Sequence, residues 1–138
     1  MESLKVQDYM NKHPVTFTEH MPVAEAVERL LQSRQGAGPV VNKSGKVVGF
    51  LSEQDCIKKM VESSYYREQV AHVHDIMKVE VISVKPYHSV LELAQGLSIE
   101  RPKVYPVIDD AGHLLGTISR TDLLRAIDLH LQDGYKDH

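Results

Sequence analysis

Three polar residues in the second half of the chain could together bind a phosphorylated ligand. Ser119, Arg120 and Asp122 stand where a predicted strand runs into a predicted helix. A helix N-terminus offers N–H groups and a partial positive charge to an anion, and the guanidinium fork of an arginine matches phosphate. An aspartate in the first turn can instead accept hydrogen bonds from the two hydroxyls of a ribose. Phosphate and ribose are therefore the chemistry that this stretch favours.

The same residues also have an ordinary structural interpretation. A serine followed three positions later by an acidic residue is the pattern of a capping box, and an N-cap contributes about 1 kcal/mol. We expect Ser119 to cap its helix. Capping does not exclude ligand binding by Asp122, so both interpretations stay open.

A second copy of this pattern occurs 67 positions earlier, at Ser52 and Asp55. Glu53 stands there in place of Arg120, and its carboxylate would repel phosphate. The sequence therefore predicts two related sites, of which the second is better suited to a nucleotide.

The repetition extends far beyond these motifs, because the halves align without a gap from Val6/Val73 to Met60/Ile127. Turn glycines, strand prolines and capping residues recur together, which indicates an internal duplication. The identical pairs include Asp8/Asp75, Met10/Met77, Val23/Val90, Glu25/Glu92, Leu30/Leu97, Arg34/Arg101, Pro39/Pro106, Val40/Val107, Gly45/Gly112 and Gly49/Gly116.

Each copy is predicted to form a strand, a helix, two strands and a helix. We expect repeat 1 over residues 1–66, with a short helical N-terminal segment, and repeat 2 over residues 67–138. The predicted fold is α/β, with two pseudo-twofold-related β-α-β-β-α repeats packed sheet to sheet and a cleft where they meet. Gly36 is the predicted C-cap of the first long helix. The helix positions predicted to face the core are Val23, Ala26, Val27, Leu30, Leu31, Cys56, Ile57, Met60, Val61, Val90, Leu93, Ala94, Leu97, Leu123, Ala126, Ile127 and Leu131.

Composition argues against several classes of protein. The 138 residues carry a net charge of −3 without a block of like charges, which disfavours a nucleic-acid binder that uses a basic face. The single cysteine, Cys56, cannot form an internal disulfide and is expected to be a buried thiol. There is neither an apolar run of the ~20 residues that a membrane span needs nor a signal peptide, so we expect a cytoplasmic protein.

Catalysis and metal binding are also disfavoured. His72 and His74 lie near Asp75, but side chains two positions apart on a helix diverge by about 200°, so no metal site is expected. The sequence contains no nucleophile elbow and no glycine-rich phosphate loop, so we do not expect an enzyme.

The paired repeats resemble a tandem of cystathionine-β-synthase (CBS) domains, the arrangement called a Bateman module, of the stand-alone bacterial type. The motifs that resemble this family are the Asp-x-Met segments, the Pro-Val strands and the Gly-x-x-Ser-x-x-Asp segments that lead into the last helix of each repeat. The resemblance covers residues 3–131. It implies a non-catalytic regulatory module that binds AMP, ADP, ATP with or without Mg²⁺, or S-adenosylmethionine. It also implies a homodimer that acts on a separate protein. The alternative is a structural or dimerisation module whose clefts bind no ligand.

The resemblance also implies particular ligand-binding residues. For the second half we expect Val81, Lys103, Tyr105, Pro106, Ser119, Arg120 and Asp122. For the first half we expect Pro14, Gly38, Ser52 and Asp55. In this scheme Tyr105 faces a purine and Lys103 reaches a phosphate, although ordinary packing and a solvated surface charge are the alternatives for these two residues.

Overall fold

A computed structural model describes residues 4–65, 71–98 and 101–136 of the chain. After a 3₁₀ turn at Val6–Asp8, the elements follow in the order α1 (Val23–Ser33), β1 (Ala37–Val41), β2 (Val47–Ser52), α2 (Glu53–Tyr65), α3 (Val73–Ile76), α4 (Val90–Gln95), β3 (Val104–Ile108), β4 (Leu114–Ser119) and α5 (Arg120–Lys136). The predicted α/β fold of helices and antiparallel strands is confirmed. The predicted repeat boundary, between residues 66 and 67, lies outside the described residues and stays a prediction.

The strands form two separate hairpins. β1 pairs with β2, and β3 pairs with β4. The predicted first strand of each repeat is reduced to one parallel bridge, between Phe17 and Val40 in repeat 1 and between Val84 and Val107 in repeat 2. In repeat 1 the Val15 N–H is already taken by the Gln35 side chain, at 2.8 Å to Oε1, so it is not available for a longer ladder.

The end of α1 differs from the prediction. Arg34, not Gly36, is the C-cap, with a left-handed φ of 58° and an N–H that donates to the Leu30 carbonyl at 3.1 Å. Gly36 also has a positive φ, of 81°, and its carbonyl accepts the Glu53 N–H at the start of α2. The glycine therefore shapes the connection to the hairpin instead of ending the helix.

The prediction of core-facing helix residues was partly wrong. The buried members of the predicted set are Val23, Ala26, Leu30, Cys56, Val90, Leu123 and Ala126. On α2, however, Ile57, Met60 and Val61 are exposed, and Ile57 retains 60% of its accessible surface. Leu31 and Leu131 are exposed as well. A two-stranded hairpin covers a narrow stripe of a helix, so apolar periodicity overstated the width of the core.

The chain divides into two compact units, and each combines parts of both sequence repeats. The first unit contains residues 1–13, 82–110 and 115–138. Its core is formed by Val6, Val84, Val90, Tyr105, Val107, Ile118, Leu123 and Ala126. The second unit contains residues 14–81 and 111–114. Its core is formed by Phe17, Met21, Ala26, Leu30, Val40, Leu51, Cys56 and Val73.

The leading segment of each repeat, residues 4–13 or 71–81, packs with the main part of the other repeat. In the first unit Asn11 exchanges two hydrogen bonds with Thr117, at 2.7 and 3.0 Å. In the second unit Lys78 makes the equivalent pair with Phe50, at 2.9 and 2.9 Å. These pairs are related by the 67-residue offset, so the duplication is visible in individual hydrogen bonds.

Candidate functional site

The N–H groups at the N-terminus of α5 are hydrogen-bonded within the protein. The Ser119 N–H donates to Asp122 Oδ2 at 2.9 Å, and the Asp122 N–H donates back to Ser119 Oγ at 3.1 Å. The Arg120 N–H donates to the Lys103 carbonyl at 3.0 Å. The predicted capping role of Ser119 is confirmed. This network uses the N–H groups of residues 119, 120 and 122, so among residues 119–122 it leaves out that of Thr121.

The second carboxylate oxygen of Asp122 faces Arg125. Arg125 Nη1 lies 3.3 Å from Asp122 Oδ1. The arginine side chain is 62% exposed, so this pair is weak and screened by solvent. A ribose that bound Asp122 would therefore have to displace this solvent-exposed partner. Arg125 was not among the residues predicted from the sequence, although opposite charges three positions apart on a helix are a recognisable signal.

Arg120 turns its guanidinium towards the segment that follows α4. Its Nη2 donates to the carbonyl oxygens of Ser98 and Arg101, at 3.0 and 3.3 Å. Among the described residues its buried Nε has no hydrogen-bond partner, and no carboxylate pairs with the side chain. A cation held by neutral acceptors gains from an anion, because hydrogen bonds between charged partners are about twice as strong as neutral ones.

The other residues predicted for the site of repeat 2, which contains Asp122, differ in exposure. Tyr105 is 2% exposed and belongs to the core of the first unit, so its ring presents almost no surface. Pro106 is also buried, whereas Lys103 is exposed. Val81 is half-buried and belongs to the second unit, whereas the other predicted residues of this site belong to the first.

The equivalent helix start in the second unit repeats the cap with one additional bond. The Ser52 N–H and hydroxyl both donate to Asp55 Oδ2, at 3.0 and 2.9 Å, and the Asp55 N–H donates to Ser52 Oγ at 3.2 Å. The Glu53 N–H donates to the Gly36 carbonyl at 3.0 Å, and the Glu53 carboxylate lies over this glycine. A negative group thus occupies the region that Arg120 occupies in the other unit.

The other residues predicted for the site of repeat 1 are Gly38 and Pro14. Gly38 is buried, and a Cβ placed on it would lie 2.3 Å from the Val15 carbonyl oxygen. The backbone of residue 15 therefore fills the space that the Tyr105 side chain takes in the other repeat. Pro14, which precedes Val15 in the chain, is half-buried.

Two titratable groups away from these caps are shifted. Burial raises the pKa of the Cys56 thiol to about 11, with smaller contributions from Asp55 and Glu53. The His72 N–H, which donates to Asp75 Oδ2 at 2.9 Å, lowers the pKa of that carboxyl. Among the described residues, no three histidine, cysteine or carboxylate side chains converge as metal ligands would. No helix in the described ranges is both long and apolar enough to span a bilayer.

The sequence matches a model of the CBS domain twice, over residues 6–62 and 73–129. The protein belongs to the CBS-domain family. These ranges cover most of the chain, so the resemblance inferred from its motifs is confirmed.

Relatives of this CBS pair include proteins of similar length and much longer ones. An uncharacterized protein of Methanocaldococcus jannaschii, MJ1426, is 26% identical over 91% of this chain and 92% of its own length. The gamma-3 subunit of human 5′-AMP-activated protein kinase is 29% identical over 79% of this chain, but the chain spans only 23% of that subunit.

Two solved structures share the fold. The CBS domain pair of protein MJ0100, in complex with 5′-methylthioadenosine and S-adenosyl-L-methionine, has a TM-score of 0.79 at 24% identity and covers 92% of this chain and 98% of its own. CBSX2 of Arabidopsis thaliana in complex with AMP has a TM-score of 0.80 at 22% identity, with coverages of 94% and 98%. At these identities the likeness establishes the fold alone.

Proposed function

We propose that this CBS pair is a non-catalytic regulatory module that binds an adenosine-containing ligand, with the α5 N-terminus of the first unit as the principal contact. The candidate ligands are AMP, ADP, ATP with or without Mg²⁺, and S-adenosylmethionine. Structural neighbours that were solved with AMP or with S-adenosyl-L-methionine support this class of ligand.

The observation that carries the proposal is the environment of Arg120. Its guanidinium adjoins a helix N-terminus, faces only backbone carbonyls among its described hydrogen-bond partners, and keeps one buried N–H without a partner. A phosphate at this position would supply the acceptor that the side chain lacks. We assign the phosphate to Arg120 with Lys103, and the ribose hydroxyls to Asp122 beside Ser119.

The remaining residues of the expected site receive supporting roles. Tyr105 and Pro106 of the first unit would form apolar surroundings for the base, and the buried Tyr105 could do so only after rotating out of the core. The assignment of Val81, which belongs to the second unit, stays a prediction from the sequence. We propose that the cap of the second unit, with Pro14, Gly38, Ser52 and Asp55, is the weaker site because Glu53 opposes phosphate there.

The proposed action is a shift of populations. A ligand that binds one conformation more tightly raises the population of that conformation and changes the surface offered to a partner protein. Such a sensor would act in the cytoplasm. A ligand present at about 100 times its Kd would stabilise the fold by roughly 2.7 kcal/mol.

Thermal shift with each candidate nucleotide, with and without Mg²⁺, tests the proposal. We expect at least one of them to raise the Tm of the wild-type protein. Asp122→Ala should abolish most of this increase, whereas Asp55→Ala should reduce it less. Asp55→Ala is a matched control, because it removes the equivalent cap residue from the other repeat. No increase with any ligand at millimolar concentration would contradict the proposal, and a larger loss in Asp55→Ala would reverse the ranking of the sites.

We further propose that the module is a homodimer. The equivalent positions Ile57 and Leu124 are both exposed, Leu124 by 70%, and each lies on a helix face with further exposed apolar residues. A self-complementary contact with a second copy would cover such faces. Sedimentation should give a dimer for the wild type and a monomer for Ile57→Glu combined with Leu124→Glu. A monomeric wild type would contradict this assembly.

A ligand-free structural module is the alternative function. The engagement of both Asp122 oxygens and the burial of Tyr105 favour it, because neither group is open to a ligand without rearrangement. A dimer that copurifies with no small molecule and gives no thermal shift would support this alternative.

A further inference from the structure

A side chain of repeat 1 makes a backbone contact that has no counterpart in repeat 2. The Val15 N–H donates to Gln35 Oε1 at 2.8 Å, and this contact between residues 20 positions apart is partly buried. The 67-residue offset relates Gln35 to Pro102, whose side chain contains no hydrogen-bond acceptor. The equivalent N–H in repeat 2, that of Ile82, therefore cannot receive this contact from position 102.

The end of α1 positions Gln35 for this contact. The Ser33 hydroxyl donates to the Leu30 carbonyl at 3.0 Å and accepts the Gln35 N–H at 3.2 Å. Between them, Arg34 has the left-handed φ of 58° that ends the helix. The backbone of Gln35 is thus held in place before its side chain meets Val15, and a pre-organised group loses less entropy on forming a contact.

This contact lies beside the groups that repeat 1 places in its predicted site. The Val15 carbonyl oxygen takes the space of a side chain at Gly38, where repeat 2 has Tyr105. The Glu53 carboxylate lies over Gly36, with Oε1 3.2 Å from the position that a Cβ would take. Two polar side chains of the protein, at positions 35 and 53, therefore occupy this part of the site.

A primary amide offers hydrogen-bonding atoms of the same kind as the edge of an adenine base. Its oxygen accepts and its NH₂ group donates, as a ring nitrogen and the exocyclic amino group of adenine do. A donor that already has such an acceptor gains little when a base replaces it, because one hydrogen bond is exchanged for another. The Gln35 amide therefore takes the place of a base at the Val15 N–H.

We propose that Gln35 is an internal competitor of the ligand in repeat 1, which an adenosine compound must displace from the Val15 N–H. This inference rests on the proposed function, because it concerns the weaker site of the same module. It adds a second cause of that weakness: Gln35 opposes the base of any adenosine compound, whereas Glu53 opposes only a phosphate. Repeat 2, with Pro102 and Arg120 at these positions, has neither obstacle.

Adenosine is the probe that isolates the effect of Gln35, because it carries no phosphate. Isothermal titration calorimetry is performed in an Asp122→Ala background, which lacks the principal ribose contact of repeat 2. Gln35→Ala should raise the affinity for adenosine about tenfold, the fold-change that corresponds to the net contribution of one hydrogen bond. Gln35→Glu is the matched control, since it keeps an oxygen acceptor for the Val15 N–H and should leave the affinity unchanged. Asp55→Ala, added to the Gln35→Ala variant, should abolish the gain.

The outcomes of this titration distinguish the inference from the proposed function. If the wild type binds a candidate ligand but Gln35→Ala brings no gain in the Asp122→Ala background, the inference is wrong and the proposed function stands. If the wild type binds none of the candidates while the Gln35→Ala variant binds adenosine, the principal site is wrongly assigned and the inference stands. If neither protein binds any of these compounds, both proposals are wrong.

Amide hydrogen exchange tests the same contact without a ligand. The Val15 amide should exchange about tenfold faster in Gln35→Ala than in the wild type, because its acceptor is removed. It should stay protected in Gln35→Glu, and unchanged exchange of the core amides would show that both variants are folded. A Val15 amide that stays equally protected in Gln35→Ala would overturn the proposal.

Discussion

The two helix N-termini that close the repeats use the same cap but present opposite charges. Ser52 with Asp55 and Ser119 with Asp122 form reciprocal hydrogen bonds of nearly the same length. The residue that directly follows the cap serine is Glu53 in one case and Arg120 in the other. The duplication thus preserved the local folding signal while the neighbouring residue diverged. The capping residues stabilise the helix start, and the residue beside them sets the charge that it presents.

The buried position that follows each cap offers the largest test of this comparison. Leu123 and Cys56 are equivalent in sequence, and both are buried in the core of their own unit. Leu123→Ala should lower the free energy of unfolding by about 3 kcal/mol, because it removes buried methyl groups and leaves a cavity. Cys56→Ala removes one sulfur and should cost about 1 kcal/mol. Urea unfolding measures both free-energy losses. Equal losses would contradict the expectation that the two cores are equally well packed, because the leucine loses more buried volume than the cysteine.

Alanine substitutions of the strand glycines Gly116 and Gly49 should differ less in their cost in unfolding free energy. A Cβ on Gly116 would lie 2.4 Å from the Asn11 carbonyl oxygen, whereas the nearest atom to a Cβ on Gly49 is the Met77 sulfur, at 2.5 Å. A methionine side chain can move, but a backbone carbonyl paired with Thr117 cannot move without breaking the bridge. Gly116→Ala should therefore cost about 2 kcal/mol and Gly49→Ala about 1 kcal/mol in urea unfolding. The reverse order would show that the leading segment 4–13 is the more adaptable of the two.

The caps themselves should contribute similar amounts. Ser119→Ala should lower stability by about 1 kcal/mol, and Ser52→Ala should lower it slightly more because the Ser52 hydroxyl also donates to Asp55. Urea unfolding with a common m-value would resolve the difference. If Ser119→Ala proved clearly the more damaging, Ser119 would have a role beyond the observed cap.

The smallest expected effect concerns the Cys56 thiol. Its pKa is raised from 9.0 to about 11 by burial, so the folded state favours the neutral form. This contribution to stability is present below pH 9 and is lost as the pH rises towards 11. At pH 8 iodoacetamide should modify the native protein far more slowly than the urea-unfolded protein, since the thiolate is the reactive species. Equal rates would show that Cys56 is accessible in the native state.

Local signals predicted more of this structure than distant ones. Both capping boxes follow from residues within a few positions of each other, and the hydrogen bonds confirm them. The exposure of Ile57 could not be read from periodicity, because an apolar stripe has the same spacing whether it faces a core or the surface. The carbonyl partners of Arg120 come from residues about twenty positions away, and a single sequence contains no signal for such a contact.

The exchange of leading segments has an evolutionary consequence. Val6 is buried among residues of repeat 2, and Val73 is buried among residues of repeat 1. A half-length ancestor would therefore have lacked part of its own core and would have needed a sister molecule to complete it. Gene fusion would then have turned an obligate pairing of identical chains into an internal one, after which the two caps were free to acquire different charges.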